Sequence, residues 1–202
     1  MTAINAVVMA NRQSGFIITD SIASDDDGSI VGFGAKVWTM PHIGGAIAVR
    51  GYVEHLVWAA HRLGDFATFD AMLSGATESL RHGWPSMIDL IGEHHCAVVV
   101  IGWSESAKRI KLMITNSRDN FVFAECQNHC APLPDDSQTA TLKATGNPIA
   151  DAMAVLELQR SMPDLTLRIG GHAVLTTVGA NGAISQRLLK RWPDVVGQRI
   201  AP

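Results

Sequence analysis

Charge is what this sequence has least of. Only 17% of its 202 residues are Asp, Glu, Lys or Arg, and the formal net charge is −3. No basic stripe of the kind that tracks phosphate is present, so nucleic acid is not an expected partner. No run of 18 or more apolar residues occurs, so no membrane-spanning helix and no membrane partner are expected. Residues 1–15 lack the basic start and long apolar core of a secretory signal, and the expected location is the cytoplasm. Cysteine is scarce as well: Cys96, Cys126 and Cys130. An odd count without a secretory signal argues against a disulfide scaffold and for buried or idle thiols. GxGxxG, the P-loop and HExxH are all absent, which removes the commonest nucleotide and zinc-hydrolase readings. No cofactor and no metal is expected. Internal repeats and low-complexity segments are missing too.

Apolar residues are what the chain does have, at 47%. That is enough for a sizeable core, and a single domain over residues 1–202 is expected. Few charges on so apolar a chain imply that part of its surface is covered by another subunit, so a homo-oligomer, dimer or ring, is expected.

The apolar runs 3–10 and 16–19, joined by the polar, Gly-containing turn 11–15, read as a β-hairpin. Asp25, Asp26 and Asp27 read as a solvated turn, since three consecutive residues of an extended chain do not face one ion. Residues 30–39 read as one strand broken by Pro41. Residues 43–49, apolar on both faces and rich in Gly and Ala, read as a central strand that other groups approach closely. The period then changes. Val53, Leu56, Val57, Ala60 and Leu63 recur at helical spacing, as do Phe66, Phe69, Leu73, Ala76, Leu80 and Trp84. Two helices are expected, roughly 52–63 and 66–83, with a short one after Pro85. His55, His61 and His82 read as surface or core-edge residues. Strands return at 96–103, 109–115 and 120–126 as an antiparallel meander, followed by a polar loop over 127–141. Asn147 and Pro148 form an N-cap and first-position pair for a third helix of roughly 148–161, ended by Pro163. Residues 172–179 and 183–189 pair as strands around Asn181-Gly182, and the last dozen residues read as a tail. Blocks of strands with adjacent helices fit α+β layers better than a parallel βαβ sheet.

Several short features stand in a telling order. Thr2 directly follows Met1, so removal of Met1 places a hydroxyl and a free α-amine on one residue, a self-contained nucleophile–base unit. Asp20-Ser21-Ile22-Ala23-Ser24 follows the first hairpin, and Lys36 lies sixteen residues after Asp20. Arg50-Gly51 closes the small-residue strand, a helix pair follows, and Thr145-Gly146-Asn147-Pro148 precedes the third helix. On these residues the chain resembles the proteasome β-subunit family of N-terminal-nucleophile (Ntn) hydrolases. It looks most like the bacterial proteasome-like peptidase that works beside an ATP-driven unfoldase. The order of elements is similar over nearly the whole chain, while the specific motifs lie mainly in residues 2–51.

The resemblance implies a four-layer αββα sandwich and a threonine-type peptidase or amidohydrolase acting through an acyl-Thr2 intermediate. It implies Lys36 as the cation that keeps the Thr2 amine neutral, Asp20 as its partner, and the backbone of Arg50 or Gly51 as oxyanion donor. Thr145 corresponds to an auxiliary hydroxyl, and Ala23, Ser24 and Ala48 to the substrate cleft. A peptide or amide substrate and an unfoldase partner follow from the same likeness. Three departures stand beside it. The step from Thr2 to Asp20 is two residues longer than usual. Arg50 replaces a glycine, where a long charged side chain blocks a specificity pocket or recognises an acidic substrate. Arg168-Ile169-Gly170-Gly171 lacks the Asp and Ser that steady the amine in many members. The alternative is therefore an inactive Ntn-fold subunit with an assembly or scaffold role. A second class, metal binding by His94, His95, Cys96, Cys126, His129 and Cys130, has suitable ligand types but unsuitable spacing.

Overall fold

Ile4–Val8 (β1) and Ser14–Thr19 (β2) form the first hairpin, with Ile4 opposite Thr19 and Val8 opposite Gly15. The structure is a computed structural model and describes residues 2–25, 27–134, 142, 144–162 and 168–199. Met1, Asp26, the 135–141 part of the polar loop and Pro163 lie outside the described residues.

The fold is a mixed α/β arrangement of several sheets and three helices among the described residues. After the short hairpin Ile22–Ser24 (β3) and Ile30–Phe33 (β4) come Val37–Met40 (β5) and Gly45–Arg50 (β6). The helices Val53–Gly64 (α1) and Phe69–Ile91 (α2) follow. Next are Ala97–Ser104 (β7), Arg109–Asn116 (β8), Ala124–Cys126 (β9) and Asn128–Ala131 (β10). Pro148–Arg160 (α3), His172–Gly179 (β11) and Ile184–Arg191 (β12) complete the order. One five-stranded antiparallel sheet runs β10-β1-β2-β11-β12, and a second runs β5-β6-β7-β8-β9.

Alternation along the strands explains how the layers meet. On β2, Ile17 joins a core shared by both sheets, while Phe16 and Ile18 turn to the other face and pack with Ala152 and Leu156 of α3. On β6, Ala46 and Ala48 enter the inter-sheet core, and Ile47 and Val49 face Leu56, Ala60 and Leu63 of α1. Strands covered on both faces need no polar alternation, which is why their sequences read as unbroken apolar runs. Gly102 of β7 shows the close approach that small residues permit. A Cβ there would lie 2.2 Å from the ring of Phe69 at the start of α2.

Several sequence expectations need correction. Residues 30–39 are two strands in different sheets, β4 and β5, separated at residues 34–36. Lys36 lies in the bend between them. A single 3₁₀ turn, Pro41–Ile43, precedes β6. The second helix is one element of 23 residues that runs through Pro85. It starts at Phe69 because the Thr68 hydroxyl accepts from the Ala71 N–H at 3.1 Å. It continues past Pro85 because the buried stripe Met72, Ala76, Leu80, Gly83, Met87 is unbroken across it, and that burial outweighs one lost backbone hydrogen bond. The 127–141 segment is not all loop: β10 pairs with β1, Ile4 opposite Ala131. Residues 192–199, expected as a tail, are tied to the rest of the fold. Trp192 is buried, Asp194 pairs with Arg160, and Arg199 bridges to Ser29. The third helix starts as expected, the Asn147 side chain accepting from the N–H groups of Ile149 and Ala150.

Candidate active site

Thr2 precedes β1, and it is 5% exposed. Its neighbour Ala3 donates its backbone N–H to Oδ1 of Asp20 at 3.0 Å. Asp20 sits just past the end of β2, fully buried, so the antiparallel hairpin necessarily brings it beside the start of β1. Lys36 comes from the bend between β4 and β5, and its ammonium lies 3.2 Å from Oδ1 and 3.0 Å from Oδ2 of Asp20. Two further backbone N–H groups, of Ile22 and Gly170, donate to Oδ2 at 3.2 and 3.4 Å. A buried carboxylate is tolerated only when paired and hydrogen-bonded, and Asp20 meets both conditions.

Segment 168–171, which lacks Asp and Ser, reaches this site through its backbone. Besides the Gly170 N–H on Asp20, the Gly170 carbonyl accepts from the Ser21 N–H at 3.1 Å. Ser21 completes the join. Its hydroxyl oxygen accepts from the His172 N–H at 2.9 Å and shares a second hydrogen bond of 3.2 Å with Nδ1 of the same histidine. The segment is itself held by Asp194, which accepts from the Gly171 N–H at 2.7 Å and pairs with Arg160.

Thr2, Lys36, Arg50 and Gly51 line one cleft of about 1250 Å³, together with Ala23 and Ser24. Ala48 is not on its wall; it is fully buried between the sheets. Thr145 is not brought there either. Its hydroxyl donates to Oδ1 of Asp151 at 2.7 Å and accepts from the Asn147 N–H, so it serves the start of α3.

The Arg50-Gly51-Tyr52 turn at the mouth of α1 is held by His55, which the sequence placed at the surface or the core edge and which is fully buried. The Tyr52 N–H donates to its Nδ1 at 3.0 Å. The ring proton of the neutral form therefore sits on Nε2, which has no hydrogen-bond partner among the described residues. Burial, and then the neighbouring His94, push the His55 pKa down. A Cβ on Gly51 would lie 2.4 Å from Nδ1, so only glycine fits between this turn and the ring. His55, Ser21, Arg118 and Arg168 are the site residues that sequence reasoning passed over. His55 at the third position of α1, beneath a turn ending in Tyr52, was the one with a local signal.

The ligands of the metal reading are dispersed. His94 and His95 line the cleft, Cys96 is buried under the helices, Cys126 lies on one sheet, and His129 and Cys130 lie on the other. Among the described residues no group of three His, Cys, Asp or Glu side chains is placed to hold a metal.

Two antiparallel sheets thus pack face to face with helices against them, and a threonine lies at the head of a cleft. Anbu from Hyphomicrobium sp. strain MC1, as a (Gly-1) mutant, has a similar structure. Its TM-score is 0.70 at 9% identity, over 93% of this chain and 87% of that one. Anbu (ancestral beta-subunit) from Yersinia bercovieri is similar at a TM-score of 0.65 and 11% identity, over 92% and 86%. The likeness is one of fold. The sequence matches no family model and no curated protein.

Proposed function

We propose that this protein is a proteasome-like threonine peptidase or amidohydrolase, a single-domain αββα sandwich of four layers. The observation that carries the reading is the buried Asp20–Lys36 pair, tied by the Ala3 N–H to the residue after Thr2 and opening on the same cleft as Thr2. Once Met1 is removed, the Thr2 amine takes the proton of Oγ while Oγ attacks the substrate carbonyl. The field of Lys36 keeps that amine neutral near pH 7 and favours the developing negative oxygen. The Gly51 N–H, held by the His55 clamp, serves as oxyanion donor, a contribution of about 3–4 kcal/mol in comparable sites. Collapse expels the leaving amine with the proton that the α-amine carried, and water then hydrolyses the acyl-Thr2 ester.

The same reading makes the protein a cytoplasmic homo-oligomer, dimer or ring, with an ATP-driven unfoldase as partner. Exposed Val53 and Val57, one turn apart on α1, support a covering subunit there. Among the described residues no helix is long and apolar enough to cross a membrane. A non-catalytic assembly subunit is the second reading, favoured by Arg50 standing in the cleft beside Gly51.

Intact mass of protein made with its natural N-terminus, before and after a threonine-directed electrophile, separates the two. The hydrolase reading expects loss of Met1 and a single adduct on Thr2 that Thr2→Ala abolishes without changing assembly. Retained Met1, or peptide hydrolysis surviving in Thr2→Ala, sinks it.

A further inference from the structure

The turn that opens α1 is closed by a reciprocal pair. The Tyr52 N–H donates to Nδ1 of His55 at 3.0 Å, and the His55 N–H donates to the Tyr52 carbonyl at 3.2 Å. Tyr52 is the N-cap of α1 and His55 its third residue, so the side chain of His55 takes the place that belongs to Glu or Gln in a capping box. Glu and Gln keep an acceptor oxygen throughout the neutral range. Histidine does not, because a second proton converts Nδ1 from acceptor to donor. The ring is fully buried and stacks on Trp84 with centroids 5.6 Å apart. On its other side a Cβ on Gly51 would lie 2.4 Å from Nδ1. Ring and turn are therefore fitted against each other, and a change at Nδ1 is felt at Gly51.

We propose that His55 is a positioning residue that works as an acid-released latch: a solvent proton taken up at Nδ1 breaks its bond to the Tyr52 N–H and withdraws the Gly51 backbone from the Thr2 cleft. The effect on turnover rests on the hydrolase reading, whereas the latch itself does not need Thr2 to react. With Nδ1 protonated, two N–H donors would face each other across 3.0 Å and the charge of the ring would be buried. Nε2 has no hydrogen-bond partner among the described residues, so it offers the cation no compensation. The surroundings favour the neutral, latched state. Glu54 of α1 favours the charged ring, but it is exposed. His94 and His95, from the segment before β7, disfavour it, and the His94 ring lies 4.6 Å from that of Tyr52. The turn itself carries Arg50, and α2 supplies Trp84, which has no charge. Burial is the largest influence, so the latch is closed at neutral pH and opens below the ordinary histidine value of 6.5.

The test follows hydrogen exchange of the Tyr52 amide by NMR in the full-length Thr2→Ala protein, from about pH 8 to about pH 5. Protection is taken relative to the unfolded rate at each pH, and Val100, buried in β7, serves as reference. Tyr52 protection is expected to hold down to about pH 6.5. Below the folded His55 value it is expected to fall about tenfold per pH unit while Val100 stays protected. His55→Gln, which restores a usual capping-box side chain, is expected to keep Tyr52 protection level over the whole range. Ring-nitrogen shifts of His55 in the same protein are expected to show Nε2 as the protonated nitrogen in the neutral form. A neutral ring protonated on Nδ1 overturns the proposal. So does Tyr52 protection that never changes, that falls in step with Val100, or that falls equally in His55→Gln. The ratio of Thr2 acylation rates, His55→Gln over the unmutated chain, cancels the titration of the Thr2 amine. It is expected to rise about tenfold one pH unit below the folded His55 value, and a flat ratio overturns the gating. Absence of acylation at every pH in both proteins removes the hydrolase reading and leaves the latch to the exchange result.

Discussion

The ammonium of Lys36 lies 3.0 Å from Oδ2 and 3.2 Å from Oδ1 of Asp20, and the carboxylate it meets is fully buried. The two partners are not equivalent. Asp20 also accepts from the N–H groups of Ala3, Ile22 and Gly170, which belong to three separate segments.

That asymmetry orders the effects of mutation. Asp20→Ala removes the counter-charge and strips three backbone donors, so it is expected to cost about 3–5 kcal/mol. That corresponds to roughly 10 °C in Tm for a chain of this length. Lys36→Met leaves those three hydrogen bonds in place and is expected to cost less, while abolishing any acylation of Thr2. Thermal unfolding of the two variants side by side checks the order. A Lys36→Met protein less stable than Asp20→Ala contradicts it.

Acid is expected to weaken the fold through its histidines. Burial holds the pKa values of His55, His95 and His129 below their ordinary 6.5, helped at His95 by Arg118 and Arg50 and at His129 by Arg50. The unfolded chain binds these protons first as pH falls. The stabilisation is therefore complete above pH 6.5 and is lost as pH drops from there toward the folded values. Urea midpoints between pH 8 and pH 5 measure this, and His55→Gln is expected to reduce the slope.

Gly51→Ala isolates the clamp under the Arg50-Gly51-Tyr52 turn. The added methyl would stand 2.4 Å from His55 Nδ1, against a ring that stacks on Trp84 at 5.6 Å and has no room to retreat. The turn must shift instead, so acylation of Thr2 is expected to fall by about 100-fold, the cost of a misplaced oxyanion donor. Unchanged acylation would show that this backbone does not serve as the donor.

The thiols are expected to be inert in the native protein. Burial pushes the Cys96 pKa up to about 12 and that of Cys130 up to about 11. A thiol-reactive chromophore at pH 8 should leave Cys96 unmodified until urea exposes it. Rapid native reaction at Cys96 would revive a thiolate role for it.

The C-terminal segment supports the site from a distance. Asp194 accepts from Arg160 at 2.7 Å and from the Gly171 N–H, and so holds the segment before β11 that delivers Gly170 to Asp20. Asp194→Ala is expected to cost about 3 kcal/mol, the effect of breaking a mostly buried pair. Hydrogen exchange should speed up at Gly170 and Ser21. If exchange there stays at the parent rate, the link is refuted.

Much of this arrangement is written in the residues themselves, because it depends on near neighbours. The first hairpin follows from two apolar runs about a Gly-containing turn, the start of α3 from Asn147 and Pro148, and α1 from a 3.6-residue stripe ending at Gly64. The pairing of Asp20 with Lys36 was expected only from the family resemblance, and in the fold a short hairpin and one bend separate them. Other features needed the chain to close on itself. Whether residues 30–39 continue one ladder or divide between two sheets depends on which strand waits at each edge, and Asn128–Ala131 has no alternation until β1 pairs with it. His55 is buried only because Trp84 of α2 stacks over it, and Arg118 enters the cleft only because β8 ends beside β7. Periodicity and capping act over a few residues, whereas burial and charge proximity are set by segments that lie 20 to 150 positions apart. So the contact of Asp20 with Lys36 was expected in advance, while the histidine clamp beside the cleft came from packing.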